Sequence, residues 1–193
     1  MPDPAGVRER LRQAGADPGF RGMMVDHRYD RAGALLARDE VLRVREFRPP
    51  PGAGSVEIRI SWKGPVGVTA KGYKTRRELE YAIQACGPAG SPFELLGVLG
   101  FEEIHRIERY VEYYRLGTAD VRLEWYPRMD VLVEVEGDEA GIEAALPVIG
   151  LPRTEYSAEP LPMFVARYAA RTGSPAVLAL GALNGDLPSW DAG

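Results

Sequence analysis

Residues 42–45 read LRVR, residues 58–63 read IRISWK, residues 121–124 read VRLE and residues 133–136 read VEVE. Because successive side chains of a strand point to opposite faces, each stretch predicts a β-strand with one apolar and one charged face. A sheet with one face in water gives the same pattern, and solvent is the ordinary explanation. The early strands, however, carry Arg and Lys, whereas the late strands carry Glu. If the charged face turns inward, the cations would bind an anion and the carboxylates a metal ion beside it, which suits a polyphosphate.

The composition is that of an ordinary globular protein. The chain has 193 residues, of which 45% are hydrophobic and 27% charged, with a formal net charge of −4. This length suits one domain, or one domain with a tail, and the net charge argues against a nucleic-acid-binding or membrane-binding surface. The one cysteine, Cys86, excludes an intrachain disulfide, suits a reducing compartment and is interpreted as a packing residue. Without a membrane-spanning apolar run or a signal peptide, the sequence predicts a cytoplasmic protein.

Caps and periodicity predict the order of the elements. Capping residues, prolines and glycines predict a helix between Asp3 and Gly15, one near 92–99, one from Asp138 to Gly150 and one from about Leu161 to Gly173. Alternating residues predict strands at 23–29, 41–48, 56–63, 104–115, 119–126 and 131–136, whereas 73–81 fits either a strand or a helix. Antiparallel strands with helices on one side predict an α+β fold.

Several motifs, taken in chain order, resemble the CYTH family. This family comprises class IV adenylate cyclases, thiamine triphosphatases and inorganic triphosphatases, also called triphosphate tunnel metalloenzymes. Each motif alone is short, but their order and spacing over roughly residues 1–170 make the resemblance fairly specific. The motifs are DHRYD at 26–30, LRVR at 42–45, WKGP at 62–65, RRELE at 76–80, LGF at 99–101, RY at 109–110, YRLG at 114–117 and EVE at 134–136.

The resemblance implies an antiparallel β tunnel of eight strands, with one strand fewer expected here, and with helices packed outside. Residues 1–172 would form this domain. The segment 173–193 is rich in Ala, Gly, Leu and Pro with little periodicity, so we expect a loosely ordered tail there. The charged lumen would bind a triphosphate together with Mg²⁺ or Mn²⁺.

The resemblance also implies roles for individual residues. The implied phosphate ligands are Arg43, Arg45, Lys63, Arg76 and Arg109, with Lys63 and Arg109 taking part in catalysis; the implied metal ligands are Glu78, Glu80, Glu124, Glu134 and Glu136. Glu78 and Glu80 share a face only if their segment is a strand. By strand parity, Arg59 and Arg122 are further candidates for the lumen.

The chain departs from the family pattern in two places. The family's first strand, E-x-E-x-K, is absent, and the start at Met1 resembles the segment that follows that strand. Either the gene start was placed late and the protein is longer, which is the explanation that we favour, or the strand and its chemistry were lost. In addition, Val111 stands where a second basic residue is expected two positions after Arg109.

Three functions remain open at this stage. The first is a divalent-metal-dependent enzyme that hydrolyses an inorganic or organic triphosphate, or cyclises ATP to cyclic AMP. The second is a non-catalytic module that binds a triphosphate or polyphosphate. The third is a structural or partner-binding β domain, in which Arg43 and Arg45 lie on a solvated strand face. The expected ligand is tripolyphosphate, thiamine triphosphate or ATP, and homodimer formation is left open.

Overall fold

The computed structural model describes residues 3–83, 90–185 and 190, and it confirms the α+β fold. Cys86 lies outside the described residues. The α-helices of the described chain are α1 (Pro4–Gln13), α2 (Pro92–Val98), α3 (Glu139–Ile149) and α4 (Leu161–Thr172). Its strands are β1 (Asp17–Asp30), β2 (Val41–Arg48), β3 (Glu57–Lys63), β4 (Gly67–Val68), β5 (Lys74–Thr75), β6 (Glu78–Ile83), β7 (Glu102–Leu116), β8 (Ala119–Trp125) and β9 (Leu132–Glu136).

The main sheet has the strand order β6-β3-β2-β1-β7-β8-β9, whereas β4 and β5 form a separate two-stranded sheet. Antiparallel pairing joins β1 to β2, β2 to β3, β3 to β6, β7 to β8 and β8 to β9. In the described ranges the main sheet therefore has seven strands, one fewer than the eight that the resemblance implies.

The chain divides into two compact units, and β1 and β7 each contribute to both. We call Met23–Glu108 the central unit, and Met1–Gly22 with Arg109–Gly193 the terminal unit.

In the central unit, the apolar side of the strands packs on helix α2. Ser91 caps this helix, as predicted, because its Oγ accepts a hydrogen bond of 3.2 Å from the N–H of Glu94. The buried residues Tyr29, Val44 and Leu96 form the centre of the resulting apolar cluster. Covering this side with a helix leaves the alternate, charged residues on the opposite face of the same strands.

In the terminal unit, helices α1 and α3 pack on β8. Val7 and Leu11 of α1, Val121 and Leu123 of β8 and Ile149 of α3 are fully buried together. The predicted ends of both helices are confirmed, since the carboxylate of Asp3 caps α1 and Gly150 ends α3 in the left-handed conformation. The apolar side of β8 is thus covered, and its alternate residues lie on the other face.

Strand β1 begins at Asp17, six residues before its predicted start. The sequence DPGFRG at 17–22 looks like a turn, because proline and glycine are rare inside strands. The added Cβ of an alanine at Gly19 would lie 3.2 Å from Cβ of Tyr113, so this glycine lets the backbone approach β7 closely. The ambiguous segment 73–81 also resolves, since β6 is a strand from Glu78 onwards.

Part of the segment predicted as a tail makes contacts within the terminal unit. The N–H of Val177 donates to the carbonyl of Arg128 over 2.8 Å, and the N–H of Arg128 donates back over 3.1 Å. The side chain of Val177 is buried, and the ring of Trp190 stacks on Tyr110 with 6.3 Å between centroids. No helix within the described ranges is long and apolar enough to cross a membrane.

Candidate functional site

Strand register brings the charged residues of the central unit onto one face. Arg45 of β2 lies opposite Asp26 of β1 and Arg59 of β3, and Arg43 lies opposite Ser61. Ser61 and Lys63 in turn lie opposite Glu80 and Glu78 of β6. We call this group the central cluster: Asp26, Arg43, Arg45, Glu57, Arg59, Ser61, Lys63, Glu78 and Glu80.

Asp26 is the acidic centre of this cluster. Arg45 donates to both carboxylate oxygens of Asp26, over 2.5 and 3.1 Å, and Arg43 Nε lies 3.7 Å from the same carboxylate. Arg43 also donates to Ser61 Oγ over 3.1 Å. Arg43 and Arg45 are only 7% and 5% exposed, and Asp26 is 2% exposed. The interpretation of these two arginines as a solvated strand face is therefore wrong.

The outer strands of the central unit carry less buried ion pairs. Arg59 donates to Glu57 over 2.5 Å and to Glu80 over 3.0 Å, and hydrogen bonding to Glu57 is the main cause that raises the pKa of Arg59. Its guanidinium lies 4.8 Å from the centroid of the Phe47 ring, in reach of a cation–π contact. Lys63 Nζ donates to Glu78 over 2.8 Å. Glu78 and Glu80, which are predicted as metal ligands, thus pair with the cationic side chains of Lys63 and Arg59 in this structure.

The charges of the central cluster balance. Arg43, Arg45, Arg59 and Lys63 supply four positive charges, and Asp26, Glu57, Glu78 and Glu80 supply four negative ones. Clustered charges that lose water are costly unless they are paired, so this pairing offsets the cost of burying them.

Arg76, a predicted phosphate ligand, binds the turn before β2. Its Nη2 donates to the carboxylate of Asp39 over 2.8 Å. The pKa of Asp39 is lowered, mainly by a backbone hydrogen bond from Val66 and to a smaller extent by the charge of Arg76. Loss of hydration acts in the opposite direction. This contact ties the 74–77 segment to the turn, and the phosphate role of Arg76 stays a prediction.

The second charged group lies in the terminal unit, on the face of β8 that the helices leave uncovered. Register places Glu124 opposite Val111, Arg122 opposite Tyr113, and Glu134 opposite Arg122. Two-residue spacing adds the remaining members to the same face. We call this group the terminal cluster: Arg109, Tyr113, Arg122, Glu124, Tyr126, Glu134 and Glu136.

Glu124 is the buried acid of the terminal cluster, at 3% exposure. Arg109 Nε lies 3.2 Å from Glu124 Oε1, and the hydroxyl of Tyr126 donates to Oε2 over 2.6 Å. Burial and the Glu124 charge together raise the pKa of Tyr126 well above its usual value. The expected second basic position is Val111, which is fully buried and lies directly across from Glu124.

Arg122 forms ion pairs with the carboxylates of Glu134 and Glu136 on β9. Its Nη2 binds Glu136 Oε1 at 2.8 Å and also binds Glu134 Oε2. Its Nη1 donates to the hydroxyl of Tyr113 over 3.2 Å, and the guanidinium lies 5.3 Å from that ring centroid. Loss of hydration alone would raise the pKa of Glu134, but the charges of Arg122 and Arg109 outweigh it and lower the pKa to about 2.

The carboxylates that are predicted as metal ligands pair with protein side chains in this structure. Among residues 3–83, 90–185 and 190, no three His, Cys, Asp or Glu side chains converge to hold a metal ion. In the terminal cluster, Glu134 and Glu136 meet on one nitrogen of Arg122, and Glu124 binds Arg109 and Tyr126. The role of Glu78, Glu80, Glu124, Glu134 and Glu136 as metal ligands therefore stays a prediction.

Sequence reasoning missed several members of both clusters. Asp26, Ser61, Tyr113 and Tyr126, together with Phe47 on the same face of β2, were not assigned to the lumen. All but Asp26 have the parity of a predicted lumen residue on their strand. Counting every second residue from Arg45 would have found Phe47, and counting from Glu124 would have found Tyr126. Ser61 follows from its register with the neighbouring strand β2. Asp26 required knowledge of the β1–β2 register, which no local pattern provides.

Comparison with known proteins shows similarity of structure but not of sequence. No family model matches the chain, and no curated protein matches it significantly. Among solved structures, the PH1819 protein of Pyrococcus horikoshii matches with a TM-score of 0.61 and 22% identity, over 86% of this chain and 94% of that one.

Two further solved structures have descriptive names. A protein of Vibrio parahaemolyticus, described as a candidate adenylate cyclase, matches with a TM-score of 0.66 and 16% identity, over 86% of this chain and 93% of that one. HpAC1 of Hippeastrum, a candidate adenylyl cyclase with a dominant triphosphatase activity, matches with a TM-score of 0.57 and 16% identity, over 86% of this chain and 92% of that one. The chain therefore shares the fold of solved structures described as candidate adenylate cyclases, in agreement with the CYTH resemblance of its sequence.

Proposed function

We propose that the protein binds a small molecule containing a triphosphate and hydrolyses one of its phosphoanhydride bonds. The observation that carries this proposal is the pair Arg43 and Arg45, buried side by side around Asp26. These two guanidiniums lie on one strand face and share the carboxylate of Asp26, so an anion that reached them would gain contacts to two cations with little access to water. The dominant triphosphatase activity of HpAC1, which has a similar fold, supports the same choice.

The central cluster supplies the groups that such a ligand requires. Arginine forks match pairs of phosphate oxygens, whereas Lys63 supplies a compact point charge. In hydrolysis, a water oxygen bonds to the terminal phosphorus while the bond from that phosphorus to the bridging oxygen breaks. Negative charge then grows on the bridging oxygen, and Arg43, Arg45 and Lys63 would stabilise it. Inorganic phosphate and the shortened phosphate chain are the products.

The resemblance implies that Mg²⁺ or Mn²⁺ accompanies the substrate. Such an ion, when bound, would neutralise phosphate charge and polarise the reacting oxygens. The described carboxylates bind guanidinium groups rather than forming a set of three metal ligands, so the proposal rests on the cations of the protein. For Arg109, a role toward phosphate remains a prediction of the sequence.

We favour inorganic tripolyphosphate or a small organic triphosphate over ATP. The aromatic ring on the charged face of β2, Phe47, already has Arg45 and Arg59 over it, at 5.7 and 4.8 Å from its centroid. Stacking of an adenine there would displace these guanidiniums from the ring. Cyclisation of ATP, by attack of its 3′-hydroxyl on the α-phosphorus, is the alternative reaction.

A second candidate function is a non-catalytic triphosphate-binding module. The observation that favours it is Val111, an uncharged and fully buried residue where the resemblance leads us to expect a basic one. Fewer cations near a reacting phosphoryl group mean less stabilisation of developing charge. This candidate predicts binding without turnover.

A matched pair of variants on strand β2 tests the proposal. Arg43 belongs to the central cluster, whereas Arg48 lies on the other face, is exposed and binds Glu46. Calorimetric titration with tripolyphosphate should show at least about a tenfold loss of affinity in Arg43→Gln, because a charge-assisted hydrogen bond contributes about 1.5–3 kcal/mol. Arg48→Gln should bind like the wild type.

Turnover is measured on the same proteins. Phosphate release from tripolyphosphate, thiamine triphosphate and ATP, and cyclic AMP formation, are assayed with Mg²⁺ and with Mn²⁺. Phosphate release that Arg43→Gln abolishes supports the hydrolase, and cyclic AMP as the main product supports the cyclase. Tight binding with no product supports the module. No binding of any triphosphate would overturn the proposal and leave a structural or partner-binding domain.

A further inference from the structure

We infer that Ser61 is a positioning residue, whose hydroxyl orients the guanidinium of Arg43 toward an anion without cancelling its positive charge. The inference deepens the proposed function and rests on it, since a polyphosphate is the anion that Arg43 would bind. Its starting point is the difference between the partners of Arg43 and Arg45, two arginines on the same face of strand β2.

Ser61 is the partner of Arg43 across the ladder of β2 and β3. The register places the two residues directly opposite each other, and Nε of Arg43 donates to Oγ of Ser61 over 3.1 Å. Ser61 is 3% exposed and Arg43 is 7% exposed, so water has little access to this hydrogen bond. Such a bond is stronger than the same bond in water, and it therefore restricts the conformations of the Arg43 side chain.

The hydroxyl holds the arginine but leaves its charge in place. A serine oxygen is a neutral acceptor, whereas the carboxylate to which Arg45 donates twice carries a negative charge. Two acids lie beside Arg43 at longer distances, with 3.7 Å from Nε to Asp26 and 3.8 Å from Nη2 to Glu80, both beyond the range of a hydrogen bond. Arg43 is thus oriented by a neutral group, and Arg45 by a charged one.

The contact also determines which edge of the guanidinium can take a ligand. With Nε donating to Ser61, Nη1 and Nη2 form the edge that matches two oxygens of one phosphate group. Glu80 is the carboxylate beside that edge, and 36% of its side chain is exposed, so it can turn into solvent when a phosphate arrives. An arginine that is oriented beforehand loses less side-chain freedom on binding, which increases affinity.

Three variants of Ser61 separate the hydroxyl from the charge. Ser61→Ala removes the acceptor, Ser61→Thr retains it, and Ser61→Asp retains an acceptor but adds a negative charge. In calorimetric titration with tripolyphosphate, we expect about three- to tenfold weaker binding for Ser61→Ala, since one flexible side chain must then be fixed on binding. Ser61→Thr should bind like the wild type. Ser61→Asp should bind more weakly than Ser61→Ala, because its charge repels the anion and compensates that of Arg43. Ser55→Ala, at an exposed serine just before β3, is the matched control.

The order of the Arg43 side chain provides a second readout, by nuclear magnetic resonance of protein with ¹⁵N-labelled arginine. The Nε–H signal of Arg43 is assigned by its loss in Arg43→Gln. In the unmodified protein without ligand, relaxation of this signal should show a group as rigid as the backbone, and tripolyphosphate should change that rigidity little. In Ser61→Ala the group should become mobile, whereas a serine that only fills space would leave it rigid. A wild-type Arg43 that is mobile until tripolyphosphate is added would overturn the inference, even if no Ser61 variant folds.

The outcomes separate this inference from the proposed function. Unchanged tripolyphosphate affinity in Ser61→Ala would overturn the inference and leave the proposed function standing. Equal losses of affinity in Ser61→Ala and Ser61→Thr would also overturn it, because they would point to packing rather than to the hydroxyl. Absence of tripolyphosphate binding to the wild type would overturn the proposed function, and with it the anion for which Arg43 is positioned.

Discussion

Arg45 and Asp26 form a two-point ion pair across strands β2 and β1, with 2.5 Å from Nε to Oδ1 and 3.1 Å from Nη2 to Oδ2. Both residues are at least 95% buried. The same carboxylate lies 3.7 Å from Nε of Arg43, so one acid compensates much of the charge of two cations. In the proposed function, Asp26 is the group with which a phosphate must compete.

Replacing Asp26 by Asn should lower stability and strengthen the response to polyphosphate. Removing one partner of a buried ion pair leaves an uncompensated charge, so the free energy of unfolding should fall by about 3 kcal/mol. Tripolyphosphate should then raise the melting temperature of Asp26→Asn more than that of the wild type, because it no longer competes with the carboxylate. Thermal and denaturant unfolding, with and without tripolyphosphate, provide the measurement.

The control is Asp120→Asn, which breaks the exposed pair with Arg115 and should change stability by no more than about 0.5 kcal/mol. A smaller tripolyphosphate response in Asp26→Asn than in the wild type would show that Asp26 does not compete with the ligand.

Glu134 should make stability depend on pH in the acid range. Loss of hydration would raise its pKa, but the charges of Arg122 and Arg109 lower it from 4.5 to about 2. A lowered folded-state pKa gives stability that is present above the unfolded pKa and lost as pH falls through the folded pKa. The wild type should thus lose this contribution between about pH 5 and about pH 2.

The variant Glu134→Gln lacks this titration. Because the side chain is partly exposed, the contribution is screened to about 1 kcal/mol, and the stability difference between wild type and variant should shrink toward low pH by that amount. Urea unfolding across the acid range checks it, with Glu143→Gln in the exposed pair with Arg153 as the control. A difference that stays constant with pH would refute the assigned contact.

Glu112 should hold helix α1 against strand β7 in the terminal unit. Its carboxylate is 2% exposed and accepts two hydrogen bonds from Arg8, at 2.9 and 3.0 Å, and one from the hydroxyl of Tyr114 at 3.1 Å. Glu112→Gln loses these charge-assisted bonds, so the free energy of unfolding should fall by about 2 kcal/mol.

The same variant has a spectroscopic readout. Burial, followed by the charge of Glu112, raises the pKa of Tyr114 to about 12. In Glu112→Gln, this tyrosine should ionise at a lower pH in an alkaline absorbance titration. Glu9→Gln, on the exposed side of α1, is the control and should leave the titration unchanged. An unaltered tyrosine titration in Glu112→Gln would contradict the contact.

Local sequence predicted most element boundaries because caps and periodicity are local signals. Asp3, Ser91 and Asp138 begin helices as predicted, since each caps its helix through a side-chain hydrogen bond within three residues. The start of β1 was missed, because the glycine and proline at 17–22 have turn propensity that pairing with a neighbouring strand overrides.

Alternation of residue types also determined which side chains share a face. Arg43 with Arg45, and Glu134 with Glu136, lie on common faces because the side-chain period of a strand is two. The alternation of side chains along each strand therefore predicted most residues of the central and terminal clusters.

Tertiary structure alone decided which of these charges meet, and how deeply they are buried. Whether Arg43 faces water depends on which side of the sheet α2 covers, and whether Glu134 meets Arg122 depends on the register of β8 against β9. A shift of one residue in register would move every partner to the other face, and short-range sequence does not encode that alignment. Electrostatic energy falls off with distance and rises as water is excluded, so it is set by packing between segments far apart in the chain.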